Sequence, residues 1–147
     1  MIQRIQTIFM LVAGLLIGSL CVQKFADIIV NDQLHIFNAF GIFKGEELLF
    51  SGLPFLIFIG IITVLHLVAI FLFKKRILQI RVLGFTILLL LGLFGMFFYF
   101  TYASFDDVTV AFKIPVALPI VAAILDWLAI RAIGKDEALV RSLDRIR

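Results

Sequence analysis

The sequence predicts an all-α membrane protein. The expected form is a four-transmembrane-helix bundle with a small extracytoplasmic loop able to fold as a β-hairpin and a short cytoplasmic C-terminal amphipathic helix. Three observations lead there. The first is composition: 63% of the 147 residues are hydrophobic, 17 residues are Phe, and the mean hydropathy is +1.18. A soluble domain is about 45–50% apolar, so this chain carries more apolar surface than one core of its size can hide. The second is the grouping of that surface into four long stretches, residues 5–22, 53–73, 82–102 and 114–133. Each reaches or nearly reaches the ~20 residues that cover a hydrocarbon core of about 30 Å.

The third observation is the placement of charge. Of the 13 Lys and Arg residues, Arg4, the group Lys74, Lys75, Arg76 and Arg81, and the tail residues Arg131, Lys135, Arg141, Arg145 and Arg147 fall on one side of such a bundle. Only Lys24, Lys44 and Lys113 fall on the other, which also collects Asp27, Asp32, Glu46, Glu47, Asp106 and Asp107. By the positive-inside rule both termini and the 74–81 connection are cytoplasmic. The net charge of +3 is therefore read as topology and not as a nucleic-acid footprint.

Along the chain, the first span opens after Arg4 like a signal peptide. No small-x-small site follows it, and Leu20 precedes Cys21 where a lipoprotein signal needs a small residue, so the helix is expected to be retained. Within it "GLLIG" sets Gly14 and Gly18 one turn apart, a spacing that lets helix backbones approach closely, either inside the bundle or in a dimer. The lone Cys excludes an internal disulfide.

The outer loop, residues 24–51, reads "KFADIIVNDQLHIFNAFGIFKGEELLFS". Asn31-Asp32 and Lys44-Gly45 are turn signals between runs of Ile, Val and Phe, which favours a hairpin lying on the membrane. "VTVAFKI", residues 108–114, alternates enough to add a further strand. Paired acids at Glu46-Glu47 and Asp106-Asp107 are read as a solvated face ahead of any cation site or acid–base pair.

Two ionisable residues fall inside the spans. His66 sits within the second and Asp126 within the fourth, and intramembrane groups of this kind mark proton or cation sites or else find a partner inside the bundle. The expected partner of Asp126 is an arginine such as Arg4 or Arg81, with Trp127 beside it as an interfacial anchor; that of His66 is a neighbouring helix or a backbone carbonyl. Pro115 and Pro119 suit the entry and first turn of the fourth helix.

After Gly134, where the helix continues or bends, Leu139, Leu143 and Ile146 recur on one helical face, Glu137 and Arg141 stand at i, i+4, and Asp144 follows Arg141 at i+3. Such mixed charge points to specific pairing more than to a lipid anchor, which would be a block of bases. Arg4, Arg81, Arg131, Glu137, Arg141, Asp144 and Arg145 thus form the candidate cytoplasmic interaction surface.

The segments "MIQRIQT" (residues 1–7), "LFKKRILQIR" (72–81) and "LAIRAIGKDEALVRSLDRIR" (128–147) resemble an uncharacterised family of small four-span bacterial inner-membrane proteins, a domain of unknown function. The resemblance covers the full chain. It implies a bacterial inner membrane and the topology given above, and brings no activity, ligand or catalytic residue.

No HExxH, Walker A, GxSxG or Cys-His pattern is present, so neither a cofactor nor a metal is expected. The function expected from the sequence is a non-enzymatic subunit or adaptor of an inner-membrane complex, with membrane lipids, a membrane-protein partner or a second copy as its contacts. The alternative is a small oligomeric transporter or channel using Asp126 and His66. A lipid-acting membrane enzyme ranks third.

Overall fold

The computed structural model describes residues 3–30, 33–103 and 109–144, the side chains of residues 3–4 and 141–144 excepted. Its elements in chain order are α1 (Gln3–Ser19), β1 (Lys24–Val30), β2 (Gln33–Asn38), β3 (Gly41–Lys44), β4 (Glu47–Ser51), α2 (Leu53–Phe71), α3 (Arg76–Ala103), β5 (Thr109–Phe112) and α4 (Leu118–Asp144). Single 3-10 turns follow α1 and α2 and precede α4. The four long helices have the length and apolar composition to cross a membrane. Each packs on two others, α1 on α2 and α4 and α3 on α2 and α4, which closes the ring.

The all-α class is wrong. The chain carries a five-stranded antiparallel sheet in the order β4-β3-β2-β1-β5, not a loop with a hairpin. An isolated two- or three-stranded sheet is marginal in water because it has nothing to bury one face against. Here the helix ends supply that surface. Phe25 of β1 and Phe37 of β2 meet Phe55 of α2 and Phe97 of α3, with ring centroids 4.7–6.2 Å apart and mostly edge-on. The fifth strand arrives from more than 50 residues downstream and pairs with β1 from Ala26↔Phe112 to Ile29↔Thr109. Lys113 closes it, with its amide on the Phe25 carbonyl and its ammonium 2.8 Å from Asp27.

Local chemistry sets the turns. Asn38 Oδ1 accepts from the amides of Phe40 and Gly41, and Gly45 takes φ +62° between β3 and β4. Gly41 has φ +144° and, with Gly52, lies where a Cβ would strike backbone. That contact brings the start of α2 under the β2–β3 turn, where the Gly52 amide donates to the Phe40 carbonyl at 2.7 Å. The turn expected at Asn31-Asp32 lies outside the described residues, but Val30 and Gln33 pair on either side of it.

Two helix limits differ from expectation. α3 begins at Arg76, so Arg76, Gln79 and Arg81 belong to the helix and not to a connection. α4 is one helix from Leu118 through Gly134 to Asp144, the continuing alternative, so it passes the expected limit at residue 133 and no separate tail helix exists among the described residues. A Cβ at Gly134 would meet open space, and Glu137, Ala138 and Leu139 are good helix formers, so nothing there stops propagation. At 27 residues α4 is about 40 Å long, longer than a hydrocarbon core.

Candidate functional site: a polar layer inside the bundle

Each helix buries one stripe. On α2 it runs Phe55, Ile59, Ile62, His66, Ala69; on α3, Gln79, Leu83, Thr86, Leu90, Leu93; on α4, Ala122, Asp126, Ala129, Ile133. These positions recur at three and four residues, the spacing of one helical face. On all three helices a polar residue interrupts the stripe at the same depth, between the core shared with the sheet and a smaller core of Met10, Ala69, Leu83, Ala129 and Ile133. That layer is His66, Thr86 and Asp126.

His66 Nε2 lies 3.1 Å from Asp126 Oδ1, and His66 Nδ1 lies 2.8 Å from the Ile62 carbonyl. A carbonyl only accepts, so Nδ1 carries a proton and donates it. A single proton then remains for the Nε2–Oδ1 contact. It makes either a neutral imidazole facing a carboxylic acid or an imidazolium facing a carboxylate. Both forms have zero net charge, the condition under which an ionisable pair is tolerated in a low-dielectric interior. At 1% and 0% exposure, the two side chains are sealed from solvent.

Not every polar atom of the layer is matched. Thr86 Oγ1 donates to the Val82 carbonyl at 2.9 Å, whereas Asp126 Oδ2 and Thr63 Oγ1 have no hydrogen-bond partner among the described residues. Thr63 and His66 line a groove of about 480 Å³ between α1 and α2, floored by Gly14 and Gly18 and otherwise walled mainly by Met10, Leu11 and Leu67. A Cβ at Gly14 would sit 3.1 Å from His66 Cβ, so this glycine makes room for the imidazole. At Gly18 a Cβ would meet nothing within 4 Å. The pair can hold and exchange one proton. Toward the sheet it is closed by the Phe25–Phe37–Phe55–Phe97 cluster and the core around it, toward the other end by the smaller apolar core.

The arginine partner expected for Asp126 is corrected to His66, because Asp126 stands at mid-depth on the buried stripe, not at the interface. Trp127, one residue on, is exposed, and Arg131 lies over its ring at 5.6 Å. A second polar set lies at the far end of the bundle. Gln6 of α1 donates to Asp136 of α4 at 2.9 Å, Gln79 donates to the Ala69 carbonyl at 2.9 Å, and Arg76 Nη1 is 3.9 Å from Glu137. Arg81 is exposed beside them. The side chains of Arg4, Arg141 and Asp144, and all of Arg145, lie outside the described residues.

Asp136 escaped notice in the sequence. Its signal was available, since Asp126, Ala129, Ile133 and Asp136 continue one buried stripe at intervals of three, four and three.

The model of a family described as a domain of unknown function, DUF4293, matches residues 2–146. No curated protein and no solved structure matches the chain.

Proposed function

The chain belongs to the DUF4293 family, and from that premise we propose that it is a non-catalytic subunit or adaptor of a membrane-protein complex, resident in the bacterial inner membrane with both termini cytoplasmic and the sheet outside. The charge asymmetry of the sequence supports this orientation: the sheet carries Lys24 and Lys44 with Lys113 at its margin, and the opposite end holds Lys74, Lys75, Arg76, Arg81 and Lys135.

One observation carries the adaptor role. β4 is an edge of the sheet, and all five of its residues are exposed, with Leu48, Leu49 and Phe50 among them. An open edge with apolar side chains is a template for adding a strand from another protein, with backbone hydrogen bonds giving affinity and side chains giving choice. The polar layer supports the same role, because among the described residues His66 and Asp126 are flanked along the bundle by apolar cores on both sides.

A photo-crosslinking residue at Leu49, compared with one at Leu88 on the helix surface, tests this in intact membranes. A discrete protein adduct at Leu49 and none at Leu88 is expected; lipid adducts alone at both positions would overturn the reading. Cysteines at Gly45 and Lys75 report the orientation, the first labelled by an impermeant reagent from outside and the second protected.

A second reading, a small oligomeric transporter, rests on Asp126 Oδ2, which has no hydrogen-bond partner among the described residues, and on the groove beside His66, which another copy could cover. Proton or cation flux in proteoliposomes that is lost in Asp126→Asn would favour it.

A further inference from the structure

The end of the bundle opposite the sheet has two adjoining hollows with different chemistry. One, of about 630 Å³, lies along the start of α3 and is lined by Lys74, Lys75, Arg76 and Arg81, with Glu137 the one carboxylate among the described residues. The other, of about 620 Å³, is largely apolar and lies against Ile8, Ile70, Phe71 and Phe73. Arg76 borders both. Its Nη1 is buried and has no hydrogen-bond partner among the described residues, since 3.9 Å from Glu137 Oε2 is too long for a hydrogen bond.

A buried guanidinium N–H left unmatched costs free energy that a bound oxyanion would recover. The surroundings favour an anion. Among the described residues four bases face one acid, and the guanidinium stands at the first turn of a 28-residue helix, where the helix dipole adds positive potential. The adjoining hollow adds the second half of an amphiphile's requirement. Phe71 and Phe73 are exposed there, and Lys74 lies 5.8 Å over the Phe73 ring, so aromatic and cationic groups meet along one line, as they do at a membrane surface.

We propose that this pair of hollows is a binding site for an anionic phospholipid, its phosphate held by Arg76 with Lys74, Lys75 and Arg81 and one acyl chain lying against Ile70, Phe71 and Phe73. Basic pockets between transmembrane helices recognise lipid head groups by this combination. The proposal does not depend on the adaptor reading, since it concerns the opposite end of the bundle.

The test is native mass spectrometry of the full chain in mild detergent, titrated with phosphatidylglycerol and with phosphatidylcholine of identical acyl chains. One phosphatidylglycerol per chain, retained at least fivefold more tightly than phosphatidylcholine, is expected, fivefold being the contribution of a single base near the surface. Arg76→Gln lowers phosphatidylglycerol affinity fivefold or more, and so does the exposed double variant Lys74→Gln/Lys75→Gln, which keeps the question open to measurement if Arg76→Gln fails to fold. Ile70→Trp, which narrows the apolar hollow and changes no charge, also weakens the lipid.

Three results would overturn the proposal. Equal affinity for the two lipids removes head-group recognition. An equal loss in Lys44→Gln, at the other end of the molecule, means diffuse charge attraction. Competition by soluble glycerol phosphate at the same concentration as phosphatidylglycerol means a simple anion site with no acyl-chain component.

Discussion

His66 Nε2 of α2 and Asp126 Oδ1 of α4 stand 3.1 Å apart, joining two helices whose residues are 60 positions distant in the chain. Because Nδ1 is committed to the Ile62 carbonyl, the contact needs one proton and only one. The two obvious replacements of the carboxylate therefore have different consequences. Asp126→Asn keeps a donor facing a neutral Nε2 and costs under about 1 kcal/mol, since one amide–imidazole bond replaces another neutral or ionic one. Asp126→Ala leaves Nε2 unmatched beside a void and costs about 1–3 kcal/mol more. Unfolding in detergent micelles, read by thermal or denaturant titration, should rank wild type, Asp126→Asn and Asp126→Ala in that order. Equal loss in both variants would show that the hydrogen bond contributes nothing.

The two glycines of the first helix should separate in the same assay. At Gly14 an added methyl meets His66 Cβ at 3.1 Å, and at Gly18 it meets nothing. Gly18→Ala is expected to be neutral or slightly stabilising through helix propensity, a gain of up to about 1 kcal/mol. Gly14→Ala should fall about 1–2 kcal/mol below it, because α1 must move off α2 or the imidazole must shift from its two hydrogen bonds.

Asp136 anchors the far end of α4 through Gln6. In Gln6→Leu the 9%-exposed carboxylate loses that partner, at a cost of about 1–3 kcal/mol. The loss should be local, because the site lies beyond the main core. Hydrogen–deuterium exchange of residues 130–140 rises while that of α3 stays unchanged. Unaltered exchange in this segment would mean that the bond does not hold the helix end.

The junction between sheet and bundle depends on two glycines for different reasons. Gly41 needs φ +144°, and both Gly41 and Gly52 would drive a Cβ into backbone of the β2–β3 turn or of β4. Gly41→Ala and Gly52→Ala should each cost about 2 kcal/mol or more through strain and displaced strands. Gly45→Ala lies at φ +62° in open space and should cost only about 1 kcal/mol. Limited proteolysis of the five-stranded sheet, compared across the three variants, reads the difference.

The legible part of the site was its ingredients. His66 and Asp126 stood out because ionisable residues are costly inside apolar runs, and Gly14 stood out by its spacing to Gly18. Their meeting was not legible. A carboxylate in the fourth span has several cations to choose from in sequence, and Arg4, Arg81 and His66 differ as partners only by helix rotation and depth. Those follow from how the four stripes interlock. For the same reason Arg76 read as part of a charged connection until the helix placed it at the edge of the bundle, between the basic and the apolar hollow.

Residue order by itself settled the four apolar helices, the sidedness of charge around them and the polar positions inside them, because those are counts along the chain set against a bilayer's thickness and dielectric. Tertiary structure alone decided that residues 24–51 make four strands, that β5 takes the edge beside β1 to complete one five-stranded sheet, and that His66 is the base facing Asp126. Strand pairing and a buried proton-sharing contact both draw their stability from surfaces brought together over long chain separations. No local window contains the aromatic helix ends that let β1 and β2 bury Phe25 and Phe37.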